Sequence, residues 1–590
     1  MSEDASQLAV INSSDRRMFV EAPAGYGKTT TMVKKIANDF QQGVIPWPKR
    51  ILALTYSVNA ARKMKNDIRS ELAKTNMIER ASFNRIDVYN YHALARRILS
   101  VYSLPILGIS WDMNNYAELN ESQVLGFFQA SGMGFSQQDN EILIRFAKAV
   151  RECDLETVES LIGPYNALME RVLLPHQCIT YNGIITLAAK LLSEQPSLQA
   201  FYQAIYSYII VDEAQDTNLL SYKLLKLVIG DDSRVYMFGD SLQRIYGFIG
   251  AISDFTSRSQ AELELLPYRL TTNHRFAKGS SMQLLDINLR ENIRNPKTPS
   301  IEQNAMVPLF FQGSIGGEIR ATCDIAKTIL TMQPDASIAI LLRSRGFYGS
   351  TLPKELKTNG LDCFDALFDD TDQDYIAFNE LCIHLLGEVT GHSGKSSLSD
   401  IGKFVNVVEN EIDLHGFAYG TSYKLLLRAL ASQIEAELTS TTPQVKYEFI
   451  INVFENRTLR HALAYIPSRI ILTTMHAAKG LEWDYVIIPE TMQWTTPSYA
   501  VCKDCTFERK ACISDGHKCT ITMQNVPNGY IDELCVFYVA VTRARRNVIF
   551  LATTDRINKI GEHKTGLLSC FLQRPGIVVA KVNNLVDLVL

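Results

Sequence analysis

Several features that would settle a protein's class at once are missing from this sequence. No apolar run approaches the roughly 18–20 residues that cross a bilayer, which points away from a membrane protein. The opening MSEDASQLAV is acidic and polar, without the basic and then apolar character of a secretory leader. Positive charge is not in surplus: 59 Lys and Arg face 63 Asp and Glu, a net charge of −4. Bulk electrostatics therefore recommend no nucleic-acid partner, and any such partner must be met by a local groove. Neither a repeat at solenoid periods nor a long low-complexity tract occurs. What is present is ordinary globular composition, 46% hydrophobic and 21% charged, which excludes disorder, collagen and a small disulfide scaffold. Eleven cysteines in so long a chain without an export signal read as reduced thiols in a cytoplasmic protein. At roughly 100–200 residues per domain, the 590 residues leave room for about three to five domains with sizeable cores.

Short apolar runs alternate with helical patterns. MFVEA (18–22), RILALT (50–55), YIIVDE (208–213), RVYMFGD (234–240), IAILLRS (338–344), RIILTT (469–474) and YVIIPE (485–490) lack polar alternation, as parallel strands buried on both faces do. Helix-period segments such as Thr29–Phe40 and Asn59–Ala73 follow several of them, which argues for α/β architecture. The strands fall into two groups, one before about residue 275 and one after about residue 310. Helical stretches at about 100–195 and 365–450 interrupt the groups, so the sequence predicts two α/β cores, each carrying a helical insertion.

MFVEAPAGYGKTTTMVKKI reads as strand, glycine-bearing turn and helix, the parts from which a phosphate site is made. Gly25 and Gly27 let the turn Ala22, Pro23, Ala24, Gly25, Tyr26 and Gly27 curl so that its backbone N–H groups, proline's excepted, can face an anion, and the helix dipole adds to the attraction. Lys28 can reach the β- and γ-phosphates, and Thr29, followed by Thr30, can place a hydroxyl on Mg²⁺. Ala22 stands where the general pattern has its first glycine. A second GKS, Gly394-Lys395-Ser396, has Val389 at the position five before Gly394 and lies in a Gly/Ser-rich stretch of a helical insertion; it reads as an exposed loop.

YIIVDEAQD puts Asp212 and Glu213 at the carboxyl end of a buried strand, where α/β sheets bind ligands. Asp212 can hold Mg²⁺ through water, and Glu213 can orient and deprotonate an attacking water. A solvated acidic turn is the plain alternative, and the phosphate loop argues against it.

DEAQD and the later GDSLQRIYGFIGA resemble the UvrD/Rep/PcrA group of superfamily 1 DNA helicases. Further matches follow in that family's order: LTYSVNAARKM (54–64), VYNYHALARRIL (88–99), LTTNHRF (270–276), TTMHAAKGLEWDYVIIP (473–489) and VFYVAVTRAR (536–545). The resemblance implies two RecA-like parallel-sheet cores with ATP between them. It divides the chain into a first core (1–99 and 196–276) with its insertion (100–195), and a second core (277–364 and 451–590) with a short insertion (365–450). It implies that Gln7 reads the adenine edge and that Gln243 contacts the γ-phosphate and couples it to DNA. Arg275 and Arg543 would face the transferred phosphoryl group, where an arginine stabilises spreading charge, and Glu482 would lie near the ribose. Tyr56, Tyr246 and Phe248 would stack on bases, with His92 and Thr474 near the DNA backbone. Core packing is the plain alternative for the aromatics, and a satisfied structural histidine for His92.

The chain departs from the family pattern in places. Ile249 replaces the arginine of FRGA, and His274 replaces a tyrosine that stacks on adenine. Asn90 stands for threonine, Val58 for asparagine, and Leu534-Cys535 for two arginines. The hydrolytic set is intact, while the coupling to DNA is put in question. No sizeable segment follows the last motif, so a fused C-terminal nuclease is not expected. VCKDCTFERKACISDGHKC brings Cys502, Cys505, Cys512 and Cys519 within 18 residues, with His517 nearby. These thiols suit structural Zn²⁺, an iron–sulfur cluster has the same ligand chemistry, and an unligated loop is the alternative. The expected function is ATP-driven translocation on single-stranded or tailed duplex DNA, 3′→5′, with unwinding. The rival is a DNA-stimulated ATPase switch that recruits a nuclease in trans.

Overall fold

The computed structural model describes residues 4–55, 85–107, 116–245, 250–252, 254–368, 372–439, 441–455, 468–504, 529–557 and 561–582, with isolated positions 61, 64, 65, 67, 68, 70, 459 and 466. The chain divides into two compact units, Met1–Arg275 and Phe276–Leu590.

In the first unit, strands β1 (Arg17–Glu21), β2 (Ile51–Thr55), β3 (Ile86–Asn90), β6 (Tyr208–Val211), β7 (Arg234–Gly239) and β8 (Leu266–Arg269) form one sheet in the order β3-β2-β6-β7-β1-β8. Every pairing in it is parallel. Two short strands, β4 (Ala117–Leu119) and β5 (Cys178–Thr180), pair in parallel within the helical region. Alternate residues of the main sheet enter two different cores. Met18, Val20, Ile51, Ala53, Ile210 and Phe238 pack with Met32, Val33 and Ile36 of the helix Lys28–Gln41. Phe19, Leu52, Leu54, Ile209, Val211 and Met237 pack with Leu94, Phe128, Phe146 and Leu187 of the helical region. Burial on both faces is why these strands carry no polar alternation. It also means that the helical region shares a continuous core with the sheet.

The second unit has a seven-stranded sheet of β9 (Ala305–Gln312), β10 (Ile338–Leu342), β11 (Cys363–Asp365), β12 (Ile470–Thr474), β13 (Trp483–Ile488), β14 (Ala544–Thr553) and β17 (Ile577–Lys581). Its order is β11-β12-β10-β13-β14-β9-β17, again with every pairing parallel. β15 (Asp555–Ile557) and β16 (His563–Thr565) make a small antiparallel hairpin. Among the described residues, four helices, Gln373–Val389, Leu398–His415, Gly420–Leu438 and Pro443–Glu455, lie between β11 and β12 in the chain. Among the described residues no helix is long and apolar enough to cross a membrane.

Candidate functional site

In an all-parallel sheet every strand ends at the same edge. The first sheet therefore lines up the segments after β8 (270–275), β1 (22–27), β7 (240–243), β6 (212–216) and β3 (from Tyr91) along one side, in the order of the strands. Most of the described candidate residues of this unit fall on those segments, and Lys28, Thr29 and Thr30 open the helix that follows 22–27.

After β1 the chain turns through Ala22–Gly27 into the helix Lys28–Gln41. Ala22 N–H donates to the Gly239 carbonyl at 2.8 Å, and the Ala22 methyl is buried in the helix-side core, which explains why alanine serves where the general pattern has glycine. Gly25 (φ +81°) and Gly27 (φ +77°) occupy the left-handed region. A Cβ on Gly25 would meet Arg275 Cβ at 2.7 Å, and one on Gly27 would collide with the Gln7 amide nitrogen. Both positions thus need glycine for conformation and for close approach. Gly27 is the N-cap of its helix, and its carbonyl accepts from the Thr31 N–H and hydroxyl at 2.9 Å each. Thr29 is half-buried and Thr30 exposed.

Lys28 Nζ lies 3.0 Å from Asp212 Oδ1 and also pairs with Glu213. Burial alone would lower the Lys28 pKa, but the two carboxylates outweigh it and hold it above the ordinary lysine value. Asp212 N–H donates to the Leu54 carbonyl at 2.8 Å, fixing the turn to the neighbouring strand. Glu213 adopts φ +52°, and its N–H donates to Asp212 Oδ1 at 2.9 Å. Asp212, just beyond β6, and the hydroxyl of Thr29, next in the helix to the Lys28 that pairs with Asp212, are hard oxygen donors of the kind that suits Mg²⁺ with water completing its shell. Gln243 is buried, and its amide donates to Asp240 Oδ2 at 2.9 Å.

A second cluster adjoins the phosphate loop. Asp4 accepts from Gln7 N–H at 2.9 Å, and Gln7 Oε1 accepts from Asp4 N–H at 3.3 Å, a reciprocal cap that buries the Gln7 side chain. His274 Nε2 lies 3.0 Å from Asp4 Oδ2, and His274 N–H donates to the Gly25 carbonyl at 2.8 Å. Burial would raise the Asp4 pKa, but hydrogen bonds from Ser6, Gln7, Thr272 and His274 outweigh it and lower the value. Arg275 N–H donates to Asn273 Oδ1 at 2.8 Å, which places the arginine beside Gly25.

At the far side of the same edge, Asn90 caps the helix Tyr91–Leu107 by accepting from Ala93 N–H at 2.7 Å. His92 meets Tyr181 edge-on, with ring centroids 6.2 Å apart. Burial, helped by the Arg96 cation, lowers the His92 pKa to about 4, so it is a neutral imidazole near pH 7.

In the second unit the candidates separate onto opposite edges of the sheet. Glu482 and Arg543 immediately precede β13 and β14, whereas Thr474 ends β12. Arg543 is buried, with Nε donating to Val539 O at 2.9 Å, Nη1 to Leu481 O at 3.3 Å and Nη2 to Thr542 Oγ1 at 3.2 Å. Glu482 accepts from Arg545 at 3.0 Å, and Thr474 Oγ1 accepts from Ala477 N–H at 3.2 Å. Leu534 and Cys535 are buried. Lys395 of the second GKS lies in an exposed turn between two helices, with no strand before it.

Tyr56, Val58, Tyr246, Phe248, Ile249, Cys505, Cys512, His517 and Cys519 lie outside the described residues. Cys502 Sγ accepts from Trp494 N–H at 3.3 Å, and among the described residues no group of three or more His, Cys, Asp or Glu is placed to hold a metal. Sequence reasoning overlooked Asp4, Gln215, Asp240 and Asn273. The D-x-x-Q spacing of a capping box could have revealed Asp4, and the run DEAQD already contained Gln215.

Residues 3–263 match the profile of the UvrD/REP helicase N-terminal domain, and residues 418–555 that of the UvrD-like helicase C-terminal domain. The ATP-dependent DNA helicase PcrA of Leuconostoc citreum is 28% identical over 268 residues, covering 42% of this chain and 33% of its own. PcrA of Bacillus subtilis is 27% identical over 318 residues, covering 52% and 42%. A probable DNA helicase II homolog of Mycoplasma genitalium is 21% identical over 653 aligned positions, covering 96% and 87%. The chain thus spans less than half the length of the two PcrA proteins it matches.

Proposed function

The chain belongs to the UvrD/Rep helicase family, and from that premise we propose that it is an ATP-dependent DNA helicase. It moves 3′→5′ along single-stranded DNA and uses ATP hydrolysis to advance the strand and separate duplex. One observation carries this reading: Lys28, Asp212 and Glu213 meet at the edge of the first sheet, where Gln7, His274 and Arg275 pack against the glycines of the phosphate loop. Gln7 and His274 border the base, and Lys28 exchanges its carboxylate partners for β- and γ-phosphate oxygens. Asp212 and Thr29 would hold Mg²⁺, which screens the phosphate charge. Glu213 positions and deprotonates the attacking water. Arg275 and Arg543 stabilise the phosphoryl group in transfer, and Glu482 lies near the ribose. Tyr56, His92, Tyr246, Phe248 and Thr474 contact the DNA. The thiols Cys502, Cys505, Cys512 and Cys519 form a structural zinc site; metal analysis finding no stoichiometric zinc in the purified chain would remove this part of the reading.

The test is hydrolysis of ATP with and without single-stranded DNA, together with strand displacement on 3′-tailed and 5′-tailed duplexes. Stimulated hydrolysis with displacement of only the 3′-tailed substrate is the expected result. Stimulation without displacement would favour the switch that recruits a nuclease, and a chain that hydrolyses no ATP would end both readings.

A further inference from the structure

The turn after β6 contains a glutamine for which the reaction has so far supplied no task. Gln215 is 1% exposed, and both ends of its amide are engaged. Nε2 donates to Glu213 Oε2 at 2.6 Å, and Oε1 accepts from the Asp240 N–H at 3.1 Å. The second contact crosses from the end of β6 to the end of β7, the adjacent strand. Asp240 continues the path, since its carboxylate accepts from Leu242 N–H at 3.2 Å and from the Gln243 amide at 2.9 Å. The other oxygen of Glu213 pairs with Lys28. A direct hydrogen-bonded chain thus runs Lys28, Glu213, Gln215, Asp240, Gln243. Gly239 keeps room for it: a Cβ there would meet Gln215 Oε1 at 2.7 Å, while its next nearest neighbours would stand at 3.5 Å.

We propose that Gln215 is a positioning residue, which makes the orientation of the Glu213 carboxylate depend on the place of the 240–243 turn. The inference rests on the reading of Glu213 as the base that activates water. Only a neutral amide can serve here, because the position needs a hydrogen toward a carboxylate and a lone pair toward an N–H. The 240–243 turn is followed in sequence by Tyr246 and Phe248, proposed above as DNA contacts, so a shift of this turn by bound DNA would reach Glu213 through the buried Gln215. The hydrolytic group is thereby aligned when the strand is held and misaligned when it is not.

The test uses the full chain with Mg²⁺·ATP and a thymidine homo-oligonucleotide, and the variants Gln215→Leu, Gln215→Glu and Gly239→Ala. Leucine removes both contacts, glutamate offers Glu213 no hydrogen, and the Gly239 methyl displaces the amide by contact with its flexible end alone. In all three, kcat with DNA should fall at least about tenfold and the stimulation ratio should shrink, with KM for ATP changed less than about threefold, the pattern of a contact made in the transition state. Gly239→Ala should keep the cooperative melt and the circular-dichroism spectrum of the unaltered chain, with a melting temperature lowered only by the loss of the amide's two contacts, which separates misplacement from misfolding. Unaltered kcat and stimulation in Gln215→Leu and Gly239→Ala would overturn the inference, as would a raised KM with retained kcat. If the unaltered chain itself showed no DNA stimulation, the reading under Proposed function would fall first and this inference with it.

Discussion

At the residue scale, one ammonium shared by two adjacent carboxylates gives the two sides of that contact different consequences. Lys28→Ala removes the phosphate ligand and leaves Asp212 and Glu213 side by side without their cation, so neither nucleotide binding nor turnover should survive. Glu213→Gln keeps the shape and the contacts near Lys28 but cannot take a proton. Binding of a fluorescent ATP analogue should be retained, while steady-state turnover falls at least about 10²-fold. Near-normal turnover in Glu213→Gln would remove it from the role of base. Asp4 holds both Gln7 and His274 without facing the phosphates, so Asp4→Ala should loosen the base-binding side alone. Losing these hydrogen bonds, each contributing about 0.5–1.5 kcal/mol, should raise KM for ATP by several-fold with kcat retained. Titration of ATP against GTP should also find weaker discrimination between them. Lys28, Asp212 and Glu213, which the fold brings into contact, were legible as candidates because phosphate and metal chemistry restricts residue type and spacing. The sequence did not disclose Asp4 or Asp240, because a carboxylate that acts by holding another side chain looks like any cap or turn until the fold brings its partner near.

At the element scale, legibility followed burial. The seven runs read as strands correspond to β1, β2, β6, β7, β10, β12 and β13, and each lies inside its sheet with neighbours on both sides. Edge strands escaped: β3 is half-buried along most of its length, β8 is largely exposed, and β11 spans only three residues, so none shows a long apolar run. β14 begins ARRN before turning apolar, which hides a ten-residue central strand behind a charged start. One elemental feature had no sequence signal at all. Glu318, on the helix Ile315–Met332, is fully buried and accepts from the Glu490 N–H at 2.9 Å just beyond β13. Burial, reinforced by the nearby Glu490 carboxylate, raises the Glu318 pKa to about 8, and burial raises that of Glu490 to about 7. The folded chain therefore keeps protons that the unfolded chain has released above its ordinary carboxyl value of about 4.5. The stability this pair contributes is fully present below that value and is lost as pH rises toward about 8. Glu318→Gln keeps the acceptor for Glu490 and no longer titrates. Thermal melts from pH 5.5 to 8.5 should show a flatter decline for Glu318→Gln than for the unaltered chain. Identical slopes would show that the pair does not titrate in this range.

At the scale of the whole molecule, the two sheets distribute their candidate residues differently. The first unit gathers its set at one carboxyl edge, whereas the second puts Glu482 and Arg543 at the amino edge and Thr474 at the carboxyl edge. A six-residue strand at about 3.3 Å per residue keeps these groups roughly 20 Å apart, so under the proposed roles the nucleotide side and the DNA side of this unit lie at opposite ends of its strands. If these residues serve nucleotide and DNA as proposed, their coupling has to span strands β12 and β13, which are buried along nearly their whole length and, with β10, resist local deformation. Arg543 is where this arrangement is most exposed to test, because its guanidinium is also tied to the Val539 and Leu481 carbonyls of its own unit. A purely structural arginine and a phosphoryl-stabilising one then predict different losses. If Arg543 only satisfies those carbonyls, Arg543→Lys should lower the melting temperature and leave kcat near its original value, since about 1–3 kcal/mol for unsatisfied buried groups is a stability term. If it also stabilises the transferred phosphoryl group, kcat should fall by about 10²-fold or more with KM little changed, because the compact ammonium cannot reproduce the planar fork. We expect the second outcome, read from steady-state hydrolysis by the full chain under DNA-saturated conditions and paired with a thermal melt of the same preparation.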